Sequence, residues 1–194
     1  MIFKNLKNEI KLDELFRFDE KTNSYIIDIS IDNYGTLYSS LDFSPFKNRD
    51  LDDELIIYLE HSVEDIPFKY NILLNINMPQ NIYDEVQETR GIKEIKNYFS
   101  YLHRKKKREI YEYYRSAVRS FVLGILFIFA VSFIKKNFAV TRVVWQLIIE
   151  GFYVGGWVFL WEFFSLLFLE PNSKRRKLKQ YQRVLDSKIT CTYH

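Results

Sequence analysis

Glu162 is the residue most out of place for its surroundings. It is the one charge in an apolar run of 19 residues, Gly151 to Leu169. It stands eight residues before Glu170, about 12 Å in at 1.5 Å per helical residue. A carboxylate at that depth of a bilayer costs about 3 kcal/mol on insertion scales. It must face protein, carry a proton, or both. Intramembrane acids serve proton and ion paths or hold helices together. A neutral glutamic acid bonded to a helix backbone or to Ser120 would be the structural counterpart. Glu150, just before the run, is a second polar candidate.

The other groups able to do chemistry are scattered. His61, His103 and His194 lie far apart, and with the single Cys191 they make no metal-ligand spacing. No Walker loop, GxGxxG, GxSxG or HExxH is present. Asp50, Asp52 and Asp53 could bind a cation, but an acidic helix start explains them more simply. These residues imply no catalytic site, no metal and no cofactor, and the expectation is a protein that is not an enzyme.

The apolar segments that surround Glu162 come as a pair. Ser120 to Ile134 carries no charge, and extending back to Ala117 gives 18 residues interrupted only by Arg119, which can snorkel. About 20 apolar residues cross a hydrocarbon core, so both segments read as transmembrane helices. Lys and Arg then set the orientation. Leu102 to Arg119 holds seven, including Arg104, Lys105, Lys106, Lys107 and Arg108. Glu170 to Arg183 holds six, including Lys174, Arg175, Arg176 and Lys177, whereas the connecting Lys135 to Arg142 holds three. The positive-inside rule predicts both termini in the cytoplasm and the hairpin in the plasma (inner) membrane. Residues 1–102 carry a net −8 and residues 103–194 a net +11. Basic residues flanking apolar ones suit anionic lipid headgroups rather than nucleic acid, which is not an expected partner. One cysteine excludes an internal disulfide and fits a reducing compartment. The start, Met1 to Lys11, has no apolar core of a cleavable signal.

Small residues mark packing faces. Gly151, Gly155, Val158, Glu162, Ser165 and Leu169 recur at alternating spacings of four and three, with Gly151 and Gly155 a GxxxG pair. Ala117, Ser120, Gly124, Phe127 and Val131 form a similar stripe on the first segment, and Gly124 is placed at the depth of Glu162. The two stripes predict packing of the helices on each other or between subunits.

Elsewhere the periodicity predicts a hairpin of Leu15–Phe18 and Tyr25–Ile31, and a loop over Asn33–Asp50 containing SPF. Asp50 is expected to N-cap a helix over Leu51–Val63. A buried strand follows over Phe68–Met78, ended by Pro79. A long helix then runs from about Tyr83 into the first membrane segment. A basic helix over Lys174–Leu185 and a strand, KITCTY, close the chain. The expected fold class is an α+β cytoplasmic domain with a two-helix transmembrane hairpin. Its parts are residues 1–115, the hairpin 116–170, and residues 171–194 with a final strand returning to the sheet.

The run LDFSPFKNRDLDDE, the helix through NYFSYLHR and the segment EGFYVGGWVFLW resemble a family of small two-span bacterial membrane proteins, over most of the chain. The resemblance implies an aromatic and glycine-rich second span with a glutamate before it, here Glu150, Gly151, Gly156, Trp157 and Trp161. It implies architecture and no activity. The expectation is a membrane-anchored, oligomeric interaction domain, with a cytoplasmic protein or small ligand as partner. The alternative is a ligand-gated pore or membrane-disrupting effector with a cytoplasmic sensor.

Overall fold

The computed structural model describes residues 12–39, 51–138, 141–168 and 171–194. Asp50, the SPF segment and Leu169 lie outside them. Among the described residues one sheet has four strands: β1 (Arg17–Asp19), β2 (Ser24–Ser30), β3 (Asn71–Met78) and β4 (Lys188–Tyr193). The helices used below are α1 (Asp53–Asp65), α2 (Glu85–Asn137), α3 (Val143–Phe168) and α4 (Pro171–Asp186). The chain divides into two compact units, residues 1–104 with 178–194, and residues 105–177.

The first unit is a small α/β sheet region in the order β1-β2-β3-β4. β1 and β2 pair antiparallel through a tight turn in which Asn23 adopts a positive φ of 49°. Asparagine tolerates that left-handed conformation better than most residues. β2 pairs parallel with β3, and β3 parallel with β4. Parallel neighbours need crossover connections. The first crossover is the βαβ unit through α1. The second leaves β3 by α2 and returns to β4 by α4, with α3 between them in the chain. The sheet is therefore wired as α/β rather than as the segregated α+β arrangement expected.

Alternation on β2 and β3 creates two unlike faces. Ile27 aligns with Leu74 and Ile189, and Ile29 with Ile76 and Cys191. This face joins Leu55, Leu59 and Val63 of α1, Ile95 and Phe99 of α2, and Tyr181 and Val184 of α4 in one core. On the other face Asp28 aligns with Asn75 and Thr190. Asp28 accepts from Arg17 Nε at 2.8 Å and Asn75 Nδ2 at 2.7 Å. Thr192 Oγ1 donates to Asn75 Oδ1 at 2.8 Å. The Arg17 guanidinium, helped by Asn75 and Asn77, holds the Asp28 carboxyl below the usual carboxylate range.

Helix starts follow local chemistry. α1 is capped by Asp52, whose Oδ1 accepts from Glu54 N at 2.9 Å and Leu55 N at 3.4 Å. The helix therefore begins two residues later than expected. Leu51 is occupied in a bridge with Tyr38, which holds it outside the helix. Asp84 caps α2 in the same way, accepting from Val86 N at 2.9 Å and Gln87 N at 3.1 Å.

The helix ends are closed by two basic residues. Arg183 donates to four carbonyl oxygens, those of Val63 at 3.2 Å, Ile66 at 2.8 Å, Pro67 at 3.2 Å and Tyr70 at 2.9 Å. Lys96 Nζ donates to the carbonyls of Leu185 and Ser187, both at 3.1 Å. A cation here satisfies carbonyls that the helix ends leave open, and it meets the negative end of the helix dipole.

The second unit contains the later part of α2, all of α3 and the start of α4. Among the described residues two helices, within α2 and α3, are by length and composition apolar enough to cross a membrane. This agrees with the two apolar segments read from the sequence.

Candidate functional site

The two apolar helices meet through glycine. A Cβ placed on Gly124 would lie 2.9 Å from Leu160 Cγ and 3.0 Å from the Gly156 carbonyl oxygen. One placed on Gly156 would lie 2.7 Å from Ile128 Cγ1 and 3.2 Å from the Gly124 carbonyl oxygen. The absence of side chains at this pair lets the backbones approach. Ala117, Ser120 and Val131 of α2 are buried, as are Ile149 and Leu160 of α3. Around them Phe121 packs on Phe163 with ring centroids 4.9 Å apart, and Phe127 on Phe159 at 5.6 Å. The stripe expected on α2, from Ala117 through Ser120 and Gly124 to Val131, is the contact face.

The stripe on α3 is not. Gly151 and Gly155 have no atom within 4 Å of an added Cβ. Val158 and Glu162 are exposed, and Ser165 is half-buried. The contact instead follows Ile149, Gly156, Leu160 and Phe163, one residue round from the predicted face. The reason is rotational. Successive helical residues differ by about 100°, so Gly155 and Gly156 belong to different faces, and the bulk of neighbouring Leu160 and Phe163 decides which one fits.

Glu162 lies at the edge of this contact. Its Oε2 accepts from Ser120 Oγ at 3.0 Å, and Ser120 is itself buried. This is the partner named from the sequence as the structural explanation. The helix register differs by one turn from the expected one, because Gly124 is set against Gly156 and Leu160 and leaves Ser120 opposite Glu162. Replacing Glu162 by glutamine should leave helix packing and protein yield unchanged, since the amide oxygen accepts the same bond. Replacing it by leucine should strand the buried Ser120 hydroxyl, at a cost of about 1–3 kcal/mol. Thermal denaturation of the two variants in detergent tests this; equal melting would exclude a structural role for the bond.

At the loop end of the two helices Lys135 pairs with Glu150 at 2.7 Å, and its ammonium stands 5.6 Å from the Tyr153 ring. A cleft of about 460 Å³ lies beside the pair, lined also by Gln146 and Leu147. At the other end the basic residues are partly used within the chain. Lys106 pairs with Glu109 at 2.6 Å and Arg108 with Glu112 at 3.0 Å. Lys174 stands over the Tyr113 ring at 4.1 Å, and Arg175 stacks on Tyr114 and donates to its hydroxyl. The Lys106 ammonium, with Lys105 and Lys174 near it, holds the Glu109 carboxyl below its usual range. Lys105, Lys107 and Arg176 are exposed, and Lys177 is half-buried. Arg104, in the first unit, reaches Ser100 Oγ at 3.2 Å.

The first unit holds two further groupings. The start of α1 and the end of β2 line an open cleft of about 360 Å³ that includes Asp32, Thr36, Asp52 and Tyr58. Asp52 Oδ1 serves the helix cap, and Asp50 lies outside the described residues. Among the described residues no three His, Cys, Asp or Glu side chains are placed to hold a metal ion. At the end of β4, Tyr193 donates to Glu88 Oε2 at 2.5 Å and meets the Tyr34 hydroxyl at 3.0 Å. Burial and the nearby Glu88 carboxylate push the Cys191 thiol up to about 12. At neutral pH it is a protonated, poorly nucleophilic thiol.

Sequence reasoning missed the caps made by Arg183 and Lys96, the Tyr34–Tyr193–Glu88 chain, and Gly156 as the contact glycine. A local signal existed only for Arg183, which alternates with Tyr181 and Val184 on the apolar side of a basic helix. No family model, no curated protein and no solved structure matches this chain.

Proposed function

We propose that this is an integral membrane protein in which α2 and α3 form a transmembrane hairpin and the α/β unit is a non-enzymatic cytoplasmic interaction domain. The observation that carries the reading is the pairing of β3 with β4. The two apolar helices lie between these strands in the chain. Strands of one sheet share one side of a bilayer, so the segment between them crosses an even number of times. Two apolar helices supply two crossings. The excess of Lys and Arg at the sheet end of both helices then faces that side to the cytoplasm of the plasma membrane, against anionic headgroups.

Oligomerisation is proposed through the face of α3 that α2 leaves uncovered, containing Gly151 and Gly155. The bond from Ser120 Oγ to Glu162 Oε2 within one chain supports a packing role for this acid, and so anchoring over conduction. The protonated Cys191 thiol adds no nucleophile to support catalysis.

Topology is checked by thiol labelling in a Cys191→Ser background. Cysteine at Asn137 should react with an impermeant reagent from outside intact cells, and cysteine at the exposed Lys179 only after permeabilisation. Protection of Cys191 itself would prove little, since its raised pKa slows reaction on either side. External labelling at residue 179 would overturn the orientation.

A further inference from the structure

We propose that the α/β domain cannot close while only one of the two apolar helices has crossed the bilayer, so that its folding is a built-in check on completion of the hairpin. This rests on the hairpin reading above and goes beyond it. An ordinary anchored domain is complete before its anchor begins. Here the last part of the domain, residues 178–194, follows the apolar helices in the chain and is not an appendage. It contributes buried Gln180, Tyr181, Val184, Ser187 and Ile189. Its strand β4 covers β3 along six registered pairs, Leu73 with Lys188 through Met78 with Tyr193. Arg183 closes the carbonyls at the end of α1, and Lys96 in turn closes the end of α4. The chain end is also tied: His194 N donates to Met78 O at 3.1 Å, and Gln80 N donates to His194 O at 2.9 Å.

A chain whose first apolar helix has crossed while the second has not delivers residues 178–194 to the wrong side of the membrane. Residues 1–104 then keep an open β3 edge, a core lacking Tyr181, Val184 and Ile189, and unanswered carbonyls from Val63 to Tyr70. Exposed strand edges and apolar surface are features that proteolysis and aggregation act upon. A failed insertion is thereby converted into an unfolded cytoplasmic segment.

The test uses the full chain in sealed membrane vesicles with the cytoplasmic face outward. Arginine at both Val154 and Val158, which are exposed on α3 and away from the α2 contact, should block the second crossing. In that variant residues 1–104 should be digested by added protease at least ten times faster than in the unmodified chain, with the Lys179→Cys thiol now on the opposite side. Wild-type protease resistance together with a misplaced residue 179 would overturn the proposal. Where residue 179 stays on the domain side, Ile189→Asp decides the matter, because it undocks β4 without touching the hairpin. It should produce the same tenfold loss of resistance and a tenfold faster labelling of Cys191; unchanged resistance would again overturn the proposal. Failure of Asn137→Cys to label from outside is a different result, and it removes the hairpin reading itself.

Discussion

Replacing Gly156 by leucine should force the two apolar helices apart, while the same change at Gly155 should leave them together. At Gly156 the first added carbon already meets Ile128 Cγ1 at 2.7 Å, and the Gly124 carbonyl oxygen at 3.2 Å and the Ile128 nitrogen at 3.3 Å block any retreat. Backbone atoms cannot rotate away as the end of a side chain can, so the helices must shift. Overpacking of this kind costs about 1–3 kcal/mol or more. The shift would also separate Ser120 from Glu162 and loosen the Phe121–Phe163 stack. A short bifunctional thiol reagent between cysteines at positions 121 and 163, in a Cys191→Ser background, should lose most of its cross-linking yield in Gly156→Leu and keep it in Gly155→Leu. Gly155→Leu should act elsewhere, moving the detergent-solubilised protein from oligomer to monomer, because it fills the face proposed to pack between subunits. Retained cross-linking in Gly156→Leu would exclude the Gly124–Gly156 contact. A monomeric parent protein would exclude the subunit interface.

Arg183→Ala should destabilise the α/β unit by about 2–4 kcal/mol, more than any other Lys or Arg exchange within the basic helix. The guanidinium is half-buried and answers four carbonyl oxygens, with no carboxylate paired to it among the described residues. Burial accordingly lowers its pKa, though a guanidinium stays charged throughout the accessible range. Truncation removes bonds to a charged donor and leaves partly buried carbonyls unpaired. Phe68, whose ring lies 5.2 Å from the guanidinium, also loses its cover. Arg183→Lys should restore under half of the loss, since a point ammonium cannot serve four acceptors spread around a planar fork. The exposed Lys179, exchanged for alanine, should cost nothing measurable. Proteolysis of residues 1–104 against temperature reads all three. Equal behaviour of the positions 179 and 183 would show that the caps contribute nothing.

Much of this architecture is written locally. An apolar run long enough for a bilayer is a matter of composition, so both long apolar helices were legible from Ala117–Ile134 and Gly151–Leu169. So was β4, whose bounds agree with KITCTY, whereas antiparallel placement of the helices put Glu162 at the depth of Gly124, one turn from the Ser120 contact it makes. The α1 start was displaced from Asp50 to Asp52 because either aspartate can cap and only the Tyr38–Leu51 bridge chooses between them.

What the tertiary structure alone decided has a common physical cause: the deciding partner is distant in sequence. Arg183 finds its carbonyls more than 110 residues away. β4 lies beside β3 rather than elsewhere in the sheet because Ile189 and Cys191 continue a buried row begun by Leu74 and Ile76. On α3, Gly155 and Gly156 are chemically identical and adjacent. Only the rotation of the helix, set by Ile128, Leu160 and Phe163 across the contact, assigns one to α2 and leaves the other open. The sequence by itself determined which segments are apolar enough to enter a bilayer and roughly where the strands lie, with β1 expected over Leu15–Phe18 and found over Arg17–Asp19. Which surfaces those elements turn toward one another was settled by long-range packing, and no local pattern encodes it.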